Sequence, residues 1–202
     1  DAALEAAVVG DGDEVVAGAL GPYGVAEVHG VTGPVAERYA PRAWGESLAG
    51  LAEEREAPAV LGPGTDRGQE VLAHVGAATG FPMAANCVEV APGEPWELTR
   101  HRWGGSLLEH ATLDADVALL TAALHELPIE EADAPTEPGV STFEPSVDEA
   151  ALAVGVDRVE EADVEGVPLG EARVVVGGGR GVGGPEGYAP LEELADLLGG
   201  TV

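Results

Sequence analysis

Three times between Leu4 and Pro82 a short apolar run gives way to a turn and then to residues at helical spacing. Leu4–Val9 closes on Gly10-Asp11-Gly12, and Val15, Val16, Ala19 and Leu20 follow before Gly21-Pro22 ends the pattern. Val25–Val31 precedes a stretch that Pro41 can open as a first-turn residue, with Trp44, Leu48 and Leu51 on one stripe. Ala59–Leu61 leads through Gly62-Pro63-Gly64 to Val71, Leu72 and Val75, again on one helical face. Strands joined through helices must run parallel, and a parallel sheet needs cover on both faces. The pattern therefore predicts an α/β fold, a three-layer α/β/α domain with a mostly parallel, doubly wound sheet.

After Pro82 the texture changes. Asn86–Val90, Trp96–Trp103, Ser106–Leu113 and Val117–Ala122 read as strands with short connections, hence antiparallel or mixed pairing. Leu127 to Val147 is rich in proline and acid and reads as a solvated connection, while Leu152–Val159 reads as a further strand. A link, "EEADVEGVPLGEA", then leads to a strand at Arg173–Val176, a glycine turn and a helix at Pro190–Leu198. Two domains follow: residues 1–168, and residues 169–202 as the first β-α unit of a Rossmann-like domain. The chain opens without an initiator methionine and runs straight into a strand, so it reads as a fragment cut at both ends.

Charge narrows the setting. The chain carries 37 acidic and 9 basic residues, a formal −28, and all nine basic residues are arginine. The acids are spread from Asp1 to Asp196 and form no single tail. Self-repulsion of this density is relieved where the Debye length falls to ~3 Å near 1 M salt, so the sequence reads as halophilic. The same field argues against nucleic acid or an anionic membrane surface as partner. The sequence carries neither a signal-peptide pattern nor an apolar run long enough to span a bilayer, which predicts a cytoplasmic protein.

Several side-chain groups are candidates for chemistry. His29, His74, His101, His110 and His125 fall on different elements without metal-ligand spacing, which favours structural roles. Cys87 stands alone and reads as a small buried residue. The Gly62–Gly68 turn lacks the lysine of a phosphate loop, and Thr65 or Asp66 can cap the following helix. Arg100-His101-Arg102-Trp103 reads as strand alternation.

The glycine turn is the strongest candidate. In "EARVVVGGGRGVGG" a β-branched run opens into Gly179-x-Gly181-x-x-Gly184, the spacing of a dinucleotide loop. A nicotinamide site also needs an acidic residue about 20 positions on, at the end of the next strand, and that strand is not complete by Val202. Arg180 adds a guanidinium where backbone donors already favour an anion. No acid-base pair or nucleophile stands out. The residues alone leave open a nicotinamide oxidoreductase and a nucleotide-binding module built on the first domain.

"VVVGGGRGV…GYAPLEELADLLGGTV" resembles the start of the flavin domain of electron transfer flavoprotein alpha subunits, haloarchaeal in type given the charge. "APAVLGPGTDRGQEVLAHVGAATGFPMAANCVEV" and "RHRWGGSLLEHATLDADVALLTA" resemble that family's preceding domain, and "VGVDRVEEADVEGVPLGEARVVV" its interdomain link. The resemblance implies FAD as cofactor, with Gly178, Gly179, Arg180 and Gly181 in the flavin-contacting loop. It implies a beta subunit as partner and an electron carrier, not an enzyme. Electrons would come from acyl-CoA or other dehydrogenases and pass to a membrane quinone reductase. The family's other flavin motifs have no counterpart within these 202 residues, so most of the FAD site is expected outside them.

Overall fold

The computed structural model describes residues 3–160, 169 and 171–202. It divides into two compact units, Asp1–Asp157 and Arg158–Val202. The domain boundary expected at 168/169 and most of the expected link lie outside the described residues.

In the first unit the strand-helix alternation holds: β1 (Leu4–Val9), α1 (Asp13–Leu20), β2 (Val25–Val31), α2 (Pro41–Glu54), β3 (Ala59–Pro63) and α3 (Asp66–Thr79). Pro41 opens α2 as expected. Then follow β4 (Met83–Ala91), β5 (Trp96–Arg102), β6 (Leu107–Leu113) and β7 (Ala118–Ala122). The strands form not one doubly wound sheet but two hydrogen-bonded sheets, of order β1-β2-β8 and β3-β7-β4-β5-β6, where β8 is Gly139–Phe143. Four of the strand pairs are parallel, and β4-β5 and β5-β6 are antiparallel.

Alternation along β2 shows how both faces are covered. Val28 packs with Ala17 of α1, whereas Val31 packs with Ala40 and with Ala43 of α2 on the opposite face. In the larger sheet Leu119 of β7 faces Leu72 and Val75 of α3. Its neighbours Ala118 and Leu120 turn the other way, into a cluster with Ala84, Cys87 and Leu98 drawn entirely from strands of that sheet. Register shifts interrupt the ladders of β4 on both sides of Cys87. Gly45 lets α2 lie close on α3, since a Cβ there would stand 2.6 Å from the His74 Cβ. Cys87 is buried as expected, and burial raises its thiol pKa.

Two expectations fail here. The Leu127–Val147 connection contains β8, which pairs parallel with β2. It is guided there by packing on Gly21: the Ala132 N–H donates to the Pro22 carbonyl and the Thr136 N–H to the Gly21 carbonyl, each at 2.9 Å. Leu152–Val159 is not a strand. Asp148 caps the short helix α4 (Glu149–Leu152), and the Val156 N–H then donates to the Tyr39 carbonyl at 2.8 Å.

The second unit carries α5 (Ala189–Leu198) close to the expected helix. The expected strand Arg173–Val176 shrinks to a single parallel bridge between Val175 and Thr201, because Thr201 is its one ladder partner among the described residues. The chain after α5 nevertheless returns parallel to Val175, as a β-α-β unit requires.

Candidate functional site

The glycine turn folds as two consecutive 3-10 turns, Arg180–Val182 and Pro185–Tyr188, that deliver the chain into α5. The Val182 N–H donates to the Gly179 carbonyl at 3.0 Å and the Gly187 N–H to the Gly184 carbonyl at 3.0 Å. Tyr188 reaches back, its hydroxyl donating to the Gly178 carbonyl at 3.2 Å. Gly178, Gly179, Arg180, Val182, Gly183, Gly184, Pro185, Tyr188 and Glu192 line an open hollow of about 830 Å³. The structure thus brings three of the four expected residues to one lining, with Gly181 beside them in the same turn. Sequence reasoning missed Tyr188 and Glu192; the signal was their position at the mouth of a helix that begins right after the glycines.

The glycines differ in why they are glycine. A Cβ at Gly178 would stand 2.7 Å from Leu191 Cδ1 and 2.9 Å from Tyr188 Cε1, so packing excludes a side chain there. At Gly179 and Gly181 a Cβ would meet nothing within 4 Å, and Gly179 has an ordinary extended backbone with φ −97°. Neither packing nor conformation demands glycine at these two positions. What they permit is close approach of something outside the chain.

Arg180 stands between them, exposed. Among the described residues its side chain has no hydrogen-bond or ion-pair partner, in a protein where acids outnumber bases 37 to 9. The N–H groups of Gly179, Arg180 and Gly181 likewise donate to no described residue. Successive free N–H groups beside a guanidinium form a concave donor set for an anionic or electron-rich group. Glu192 is the one carboxylate on the lining, so such a group is favoured at the Arg180 end.

Other clusters are satisfied from within. Glu5, Glu27 and His29 offer ligand atoms within 4.8 Å of one another. Arg55 already takes both oxygens of Glu5, at 2.9 and 2.8 Å. His29 shares one ring nitrogen with Glu5 and the other with Ser141, each at 2.8 Å. Hydrogen bonds from Arg55 and then His29 pull the Glu5 pKa down to about 2. The group is an ion-pair cluster that joins β1, β2, β8 and the end of α2. In the Gly62–Gly68 turn, Thr65 accepts from the Gly68 N–H at 3.0 Å as the helix cap. A Cβ at Gly68 would fall 2.1 Å from the Pro63 carbonyl oxygen, so that glycine serves packing. Arg67 lies over the Tyr39 ring at 4.7 Å. Arg100 pairs with Glu109 across β5 and β6.

The model of the electron transfer flavoprotein domain matches residues 1–148, well over half of the chain. The chain belongs to the electron transfer flavoprotein family. Curated relatives named electron transfer flavoprotein subunit alpha agree. That of Mycobacterium tuberculosis is 30% identical over 201 residues, 100% of this chain and 62% of the relative. That of Mycobacterium leprae is 30% identical over 180 residues, 89% of this chain and 55% of the relative. That of Bacillus subtilis is 24% identical over 196 residues, covering 96% and 60%. The chain thus spans about three fifths of the length of these relatives. The glycine turn lies beyond the 1–148 match but inside the alignments that cover the whole chain.

Proposed function

We propose that this chain is an alpha-type subunit that holds FAD at Gly178, Gly179, Arg180 and Gly181 and pairs with a beta subunit. In this reading it is an electron carrier and not an enzyme, taking electrons from acyl-CoA or other dehydrogenases and passing them towards a membrane quinone reductase. The observation that carries the reading is the guanidinium of Arg180, without a partner among the described residues, between two glycines that nothing in the loop requires. The flavin, when bound, supplies the one- and two-electron chemistry. The chain's own residues bind and orient. Gly179 and Gly181 admit close approach, Arg180 and the neighbouring N–H groups donate to an electron-rich edge, and Tyr188 fixes the loop through Gly178.

The reading includes a cytoplasmic, salt-adapted setting. Among the described residues the buried polar side chains are His29, Ser47, Thr99 and Thr121, so none of the described acidic residues is buried. No helix of the described residues is long and apolar enough to cross a membrane. The test is co-expression with a neighbouring beta-type gene, with sizing in molar KCl and flavin absorbance read on the same peak. A 1:1 complex that retains FAD is expected. Separate elution, with no flavin on either component, would overturn the proposal.

A further inference from the structure

From Gly177 to Gly184 the chain carries only two side chains, those of Arg180 and Val182; the other six residues are glycine. So much glycine gives the backbone wide freedom, and the turn keeps one geometry only where something seats it. Arg180 is exposed, and its side chain has no partner among the described residues. Val182 is half-buried, and its two methyls fill two distinct places. Its Cγ2 lies 2.9 Å from where a Cβ on Gly178 would stand, and its Cγ1 lies 2.8 Å from where a Cβ on Gly187 would stand. Leu191 Cδ1 and Tyr188 Cε1 approach the same point over Gly178, at 2.7 and 2.9 Å. Val182, Tyr188 and Leu191 therefore meet over a bare α-carbon, an apolar seat that glycine leaves open for a branched residue.

Seat and guanidinium belong to one turn. The Val182 N–H donates to the Gly179 carbonyl at 3.0 Å and the Gly183 N–H to the Arg180 carbonyl at 3.3 Å, so the bonds that close the turn bracket Arg180. With three residues per 3-10 turn, side chains two positions apart point about 120° away from each other. Val182 packed onto Gly178 thus directs Arg180 away from the seat. We infer that Val182 is a positioning residue: its methyls, packed against Gly178 and Gly187, set the Arg180 turn before a ligand arrives, so that little reordering is needed on binding. This rests on the proposed function, under which the ligand is the flavin. Val182 also lines the hollow, so direct contact with the flavin is the rival that the test must separate.

The test is a double-mutant cycle in the co-expressed complex in molar KCl, reading FAD affinity and flavin potential. Val182→Ala removes both γ-methyls and keeps the backbone bonds of the turn available. FAD affinity should fall roughly tenfold, as the fraction of turns in the binding geometry falls by that factor. Val182→Thr keeps an atom at each γ position and should recover most of the loss. With Arg180→Ala already in place, Val182→Ala should cost less than about twofold more, because no guanidinium is left to position. The shift in flavin potential caused by Val182→Ala should have the sign of that caused by Arg180→Ala. On the flavin-free chain, Val182→Ala should speed amide exchange at Gly183 and Gly187 by roughly tenfold. Full FAD affinity in Val182→Ala, an equal loss in both backgrounds, or unchanged amide exchange overturns the positioning role while leaving the proposed function standing. An unaltered complex that holds no flavin, or Arg180→Ala that binds FAD as tightly as the parent, overturns the proposed function and this role with it.

Discussion

Gly178→Ala and Gly179→Ala, one residue apart, should behave oppositely. At Gly178 the new methyl carbon would stand 2.7 Å from Leu191 Cδ1 and 2.9 Å from both Tyr188 Cε1 and Val182 Cγ2. Three neighbours on three segments would have to move together, and overpacking of this kind costs about 1–3 kcal/mol. At Gly179 there is nothing within 4 Å and the backbone suits any residue. Alanine there restricts the unfolded chain and should leave stability unchanged or raise it by ~0.4–1 kcal/mol. The assay is amide hydrogen exchange at Val182, Gly183 and Gly187, whose N–H groups bond within the turn. Gly178→Ala should speed exchange by roughly 5- to 150-fold, while Gly179→Ala should not speed it. Gly179→Ala should nonetheless weaken flavin retention, because it fills the approach. Equal destabilisation by both variants would show that the loop is packed at Gly179 too, and the case for an external ligand there would be lost.

Other outcomes follow from the first unit. Leu119, fully buried against α3, should cost about 2–5 kcal/mol when changed to Ala, read by denaturant unfolding. Thr65→Ala removes the cap on the Gly68 N–H and should cost about 1 kcal/mol in the same assay. Because the folded-state pKa of Glu5 is depressed to about 2 from 4.5, its contribution to stability is present above pH 4.5 and lost as pH falls towards 2. Glu5→Gln should flatten that limb of the stability curve, and an unchanged acid limb would count against the Arg55–Glu5–His29 cluster. Raising KCl from low to molar concentration should raise the melting temperature strongly, and a salt-indifferent melt would contradict the halophilic reading.

The parts of the fold that could be read from sequence are those whose signal is local. β1 and β2 match their expected bounds because each is an apolar run closed by glycine or followed by a turn. β8 was hidden because its five residues lie between Pro138 and Pro145 among acids, and only pairing with β2 makes them a strand. Leu152–Val159 has strand-like composition, but the bond from Val156 to Tyr39 ties it elsewhere. The division into two sheets is likewise non-local, set by which edges find partners. At the site, the glycines and Arg180 were visible as a motif, whereas the separate roles of Gly178 and Gly179 depend on Leu191 and Tyr188, which return from α5 and the turn before it. The ion-pair cluster had a weak signal: Glu27 and His29 are two apart and share a strand face, but Arg55 reaches them only through α2.

The central claim, that Arg180 holds a flavin, is tested most directly by titrating FAD into the co-expressed complex with Arg180, Arg180→Ala and Arg180→Lys. A hydrogen bond from a charged group contributes about 1.5–3 kcal/mol, so Arg180→Ala should weaken FAD binding on the order of ten- to a hundredfold. Lysine keeps the charge but loses the planar fork, and should restore only part of the loss. The account predicts that graded series with the fold unchanged; equal FAD affinity and equal flavin potential in all three proteins would contradict it.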